Sequence, residues 1–219
     1  MYNRTVPGQT RIAPRRLPAR FGWPPGRTSP RGEEVPLARP DRYRPTGLEA
    51  RIDRLESLDE IRQLAHRYAL AVDTRNIDDL VELFVEDVRV GRDRVGRPAL
   101  REWFVEALRR VETTIHLVAN HVIDFDDADH ARGVVYCRDE VDRGTAWDVG
   151  YIQYWDRYER RRGIWYFLRR DFHRWFMVDA LTRPSRGAGL DRDGLTTGRL
   201  PDAWPSWSRF WDEPSHDED

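Results

Sequence analysis

Apolar side chains recur every third or fourth position through the first half of the central region, and every second position beyond residue 112. Leu58, Ile61, Ala65, Tyr68 and Val72 form one stripe at helical spacing, which predicts an amphipathic helix. Ser57, with Glu60 three residues on, reads as a capping box at its start, preceded by a helical turn carrying Leu48, Ile52 and Leu55. Asn76 is placed to cap a second, short helix from Ile77 to Phe84. Pro98 opens a third, continued by Ala99 to Val111. Four long segments rich in β-branched and aromatic residues follow: Thr113–Phe125, Ala131–Asp142, Ala146–Arg160 and Ile164–Val178. Turn residues separate them at 126–129, at Arg143-Gly144 and at Arg162-Gly163. Helices followed by consecutive antiparallel strands predict an α+β domain whose sheet curls around the helices and leaves a pocket between them.

Composition sets the limits of that domain. Residues 1–46 carry 9 of the 14 prolines and 10 arginines against 3 acids, with no apolar period, which predicts an extended arm without a core. The domain is expected over 47–182. A polar tail over 183–219 holds an aromatic cluster, Trp204-Pro-Ser-Trp207-Ser-Arg-Phe210-Trp211, expected to dock on the domain's own pocket or on a neighbouring subunit. Across its 219 residues the chain has a formal net charge of -1, which gives no electrostatic case for nucleic acid. No apolar run is long enough to span a membrane, and no secretory h-region follows Arg15-Arg16, so a cytoplasmic location is expected. All 37 basic residues are arginine, which excludes Schiff-base and P-loop lysine chemistry. A single cysteine excludes an internal disulfide, and the six histidines make no metal-binding spacing, so no metal is expected.

Strand parity singles out one acid. On 131–141 the odd positions are small or apolar except Asp139, so this carboxyl is expected on the buried face. There it is either an acid held protonated by burial or half of a salt bridge to one of the many arginines. His116 lies within a strand segment, Asp73 ends the first helix, and Tyr68 lies on that helix's buried stripe. Arg170, Phe172, Arg174 and Phe176 share one face of the last strand, either an anion- or enolate-binding wall or an exposed arginine-coated edge. Phe84, Trp103, Cys137 and Tyr154 are expected to complete the substrate pocket.

Three stretches together resemble the SnoaL-like branch of the superfamily named after nuclear transport factor two. They are Ile61 to Asp73 with Asp78 to Phe84, Thr114 to Asn120, and Tyr158 to Phe167. The resemblance implies a cone-shaped fold, with three N-terminal helices packed in a curved, mostly antiparallel sheet of four to six strands. It is nearest to the lyases: bile acid 7-alpha-dehydratase, scytalone dehydratase and hexachlorocyclohexane dehydrochlorinase. The family's Asp-His pair falls on Asp73 and His116. The bile-acid enzyme's tyrosine, second aspartate and arginine fall on Tyr68, Asp139 and Arg174. The dehydrochlorinase arginine falls on Arg170, and its lysine on Tyr68, a departure that favours dehydration. What this implies is a cofactor-independent dehydratase acting on a small hydrophobic cyclic substrate, in a homodimer or homotrimer. An isomerase or cyclase using the same base, a non-catalytic binding or assembly module, and an oxygenase subunit are the alternatives.

Overall fold

The computed structural model describes residues 43–180. The expected arm apart from 43–46, the last two residues of the expected domain (181–182) and the whole tail lie outside the described residues. Helix α1 runs from Leu48 to Asp73 without a break. Ser57 is buried inside it rather than capping it, and the N-cap is Gly47. The preceding turn and the main helix are therefore one element of about 39 Å at 1.5 Å per residue. Nothing between Leu48 and Ser57 interrupts a helix, since the segment has neither Pro nor Gly.

Helix α2 spans Ile77–Glu82, and the Asn76 side chain accepts a hydrogen bond from the Asp79 amide at its start. Helix α3 spans Arg97–Leu108 with proline in its first turn, where a missing N–H costs nothing. Between them lies a small antiparallel pair, β1 (Arg89–Val90) and β2 (Arg94–Val95). Two-residue strands carry no readable alternation, so this pair leaves no trace in the sequence pattern.

The main sheet has four antiparallel strands in the order β3 (Thr113–Phe125), β4 (His130–Asp142), β5 (Trp147–Arg161) and β6 (Ile164–Asp179). The sheet is open, with β3 and β6 as its edges. The β5–β6 hairpin closes through Arg162 and Gly163, both at positive φ (54° and 80°), the twist a two-residue turn needs to match paired strands. The apolar stripe of α1 (Ile61, Ala65, Tyr68, Val72) packs with Leu80, Phe84, Leu100 and Phe104 against the inner positions Val135, Cys137, Ile152, Tyr154 and Phe167. Fully burying each large apolar side chain is worth about 1.5–3 kcal/mol, so this layer fixes how α1 crosses the sheet. No helix among the described residues is long and apolar enough to cross a membrane.

Candidate active site

The end of α1 delivers a carboxylate to the first strand of the sheet. After Asp73 the chain turns through Arg75 at φ 60°, and the Asn76 amide bonds back to the Ala71 carbonyl. The Asp73 carboxylate then meets β3 side-on. Its Oδ2 accepts the His116 amide at 2.8 Å, and its Oδ1 accepts from the Thr114 hydroxyl at 2.9 Å and lies 2.7 Å from His116 Nδ1. Arg75 braces the assembly by donating to Thr114 Oγ1 and to the Val72 carbonyl, both at 2.8 Å. Because an ionised carboxylate only accepts, Nδ1 carries the proton and Nε2 is left as the basic nitrogen.

Burial alone would raise the Asp73 pKa, but the hydrogen bonds from His116 and Thr114 outweigh it and hold the carboxyl below its ordinary value. A folded-state value below the unfolded one adds stability above the unfolded pKa of about 3.9, and that stability is lost as pH falls through the lowered value. Urea midpoints measured between neutral pH and pH 3 should therefore fall more steeply for the wild-type protein than for Asp73→Asn. Parallel curves would remove Asp73 from the acid-sensitive groups.

His116 and Asp139 are direct cross-strand partners in the β3–β4 register, and both face inward. Asp139 is 5 % exposed, and its Oδ1 has no hydrogen-bond partner. Burial pushes its pKa up, against the opposing pull of His116, Arg174 and Arg143. Gly150 lies opposite Asp139 on β5, and a Cβ there would collide with the carboxyl. This glycine keeps open the space that the acid occupies.

Both groups open onto a cavity of about 130 Å³ between α3 and the sheet. Tyr68, Val72, Trp103, Phe104, Leu108, Val141, Tyr154 and Phe172 form its largely apolar wall, with His116, Thr114 and Asp139 as polar points. Glu106 and Arg110 also line it, and they are ion-paired with each other. Among the described residues no group of three or more His, Cys, Asp or Glu converges as a metal site.

The expected residues thus separate into groups. His116, Asp139, Tyr68, Tyr154 and Trp103 share the cavity wall, and Asp73 reaches it through His116. Phe84 and Cys137 are buried outside the lining, Phe84 against Tyr68 and Phe167. Burial pushes the Cys137 thiol up to about 12, a value unsuited to a nucleophile. Arg174 also stands outside the lining, half-buried, with no ion pair among the described residues. Arg170 departs most from expectation. It is 1 % exposed, does not line the cavity, and makes a two-pronged ion pair with Asp156 (Nε–Oδ1 2.9 Å, Nη2–Oδ2 2.8 Å). A cation already matched to a buried carboxylate is not available to bind an anion.

The sequence reading missed Asp156 and what it gathers. The Tyr158 hydroxyl donates to Asp156 at 2.8 Å, and His121 Nε2 lies 3.0 Å from that hydroxyl. Tyr158 has only one proton to give, so His121 donates to it from Nε2. Burial, reinforced by Arg170, holds the His121 pKa down to about 3 and keeps it neutral. The signal was available in strand parity: Asp156 alternates with Ile152, Tyr154 and Tyr158, the apolar stretch of that face.

A model of the SnoaL-like domain matches residues 53–171. No curated protein matches the chain. Several solved structures do. A candidate scytalone dehydratase from Novosphingobium aromaticivorans is 22% identical over 64% of this chain and 97% of its own, with a TM-score of 0.53. A type 3 hexachlorocyclohexane dehydrochlorinase from Novosphingobium barchaimii is 21% identical over 62% and 99%, at 0.55. A candidate aromatic ring hydroxylase from Novosphingobium aromaticivorans is 21% identical over 63% and 97%, at 0.50. At these identities the likeness establishes the fold.

Proposed function

The chain belongs to the SnoaL-like domain family, and on that premise we propose that it is a cofactor-independent lyase, a dehydratase eliminating water from a neutral hydrophobic cyclic substrate. One observation carries the reading: a hydrogen-bonded Asp73–His116 pair on an apolar cavity, with the buried carboxyl of Asp139 directly across the strand pair. His116 Nε2 removes the proton beside a carbonyl, and the C–H electron pair forms the enolate. Asp73 stabilises the resulting imidazolium and holds its ring in place. Collapse of the enolate forms the new C=C bond and breaks the C–O bond, and Asp139, protonated, gives its proton to the departing hydroxyl. Water leaves, and proton transfer from the imidazolium through solvent restores Asp139. A homodimer or homotrimer belongs to the same reading.

A neutral substrate is favoured because Arg170 is committed to Asp156, Arg110 to Glu106, and Arg174 does not line the cavity. The test is a panel of cyclic β-hydroxy ketones, polyketide-like and steroid-like, followed by mass spectrometry. The expected product is lighter by the mass of one water. A product of unchanged mass with a moved double bond would make the protein an isomerase. Tight binding with no turnover across the panel would make it a binding module.

A further inference from the structure

Arg170 contributes no contact to the cavity, yet it lies directly beneath the cavity's tyrosines. Its guanidinium carbon is 4.3 Å from the ring centre of Tyr68, 4.2 Å from Tyr154 and 4.2 Å from Phe167. One edge of the guanidinium is held by Asp156, which Tyr158 and His121 support in turn. The cation is therefore fixed in place, and its field falls on Tyr68 and Tyr154, both of which line the cavity.

We propose that Asp156 and Arg170 are a positioning pair that acts through Tyr68, making its hydroxyl the donor that holds the substrate's oxygen as it becomes an enolate. This rests on the elimination reading above and deepens it by assigning an anion-stabilising group. A positive charge over a ring favours negative charge on the phenol oxygen and so strengthens the O–H as a donor. Around Tyr68 the charged and titratable groups are Arg170, Asp156, Tyr154 and Cys137, with the His116 ring 6.5 Å away and perpendicular. Burial pushes the Tyr68 hydroxyl up to about 12, with Arg170 pulling against it. The hydroxyl thus remains protonated and able to donate at any working pH. The arrangement suits a carbonyl compound, neutral on arrival, that gains charge only during reaction. It does not suit a carboxylate.

The test uses 2-naphthol as an enolate mimic, because its neutral and ionised forms absorb differently and binding to each can be read separately. In the wild-type protein bound naphthol should ionise at a lower pH than it does free. Tyr68→Phe should weaken naphtholate binding roughly tenfold relative to neutral naphthol. The paired replacement Arg170→Met with Asp156→Leu should do the same while keeping the fold, checked by thermal melting. Combining it with Tyr68→Phe should cost nothing further, since the pair acts through that hydroxyl. Arg170→Lys, which keeps a charge under the ring, should retain most of the preference. An unchanged naphtholate preference in the paired replacement would overturn the proposal while leaving the pocket reading intact, and so would losses that simply add. No naphthol binding to the wild-type protein would overturn the pocket reading and this proposal with it.

Discussion

Replacing His116 with alanine should lower kcat by ~10²–10⁴-fold on any substrate the mass-spectrometric screen identifies, the range a positioned general base supplies. The side chain is largely buried and bonded to Asp73, so its loss should also lower the melting temperature modestly, which thermal melting reads separately from the loss in kcat. Added imidazole should restore part of the rate in the alanine variant, because the ring's place is left open beside an intact acceptor. Asp73→Asn should fall less far, since His116 keeps its basic nitrogen and loses the partner that orients it and stabilises its cation. Turnover unaffected by His116→Ala, measured on the true substrate, would remove the base from the mechanism and leave the cavity as a binding site.

The largest effect on stability is expected far from that base. Asp156→Ala should cost about 3–5 kcal/mol, because it leaves the Arg170 guanidinium buried and unpaired among three aromatic rings. Tyr158 would lose its acceptor in the same step. For a domain of this size the thermal midpoint should drop by on the order of 10 °C. Replacing both partners by Leu and Met removes the charge together with its counter-charge, and should recover most of that loss. If the single and double variants melt together, the pair is not the source of the stability.

The fold was legible because periodicity changes once and cleanly: the β3 boundaries read from sequence are those of the structure, and the other three long strands agree to within a residue or so. Ser57 misled because a capping-box pattern has no force where the chain before it is itself helical, with nine residues already wound. For the site, parity on β4 placed Asp139 correctly on the buried face. On β3 the same logic was obscured, since the outward positions Ile115 and Leu117 are themselves apolar and exposed while Thr114 and His116 point inward. Arg170 and Arg174 share a face, so alternation could not say which one a carboxylate would claim. That choice is made by Asp156, the direct cross-strand partner of Arg170 on the neighbouring strand β5.

The inverted polarity of β3 carries a consequence for how this protein can fail. The strand presents apolar side chains on one side and Thr114 and His116 on the other. A slip of one residue would exchange them, carrying Ile115 and Leu117 into the core and His116 out to water. Over residues 114–117 hydrophobic burial would not oppose such a slip, whereas Phe125 at the far end of the strand, 1 % exposed, would. Local contacts add to that: Asp127 Oδ1 accepts from the Asp129 and His130 amides and fixes the hairpin between β3 and β4, and Asp73 clasps the His116 amide from α1. Helix–strand content would not register a local shift at the start of β3, where the pairing itself would be kept. The reporter of that register is His116 itself, and the fraction of molecules that present it to the cavity is the quantity active-site titration would count.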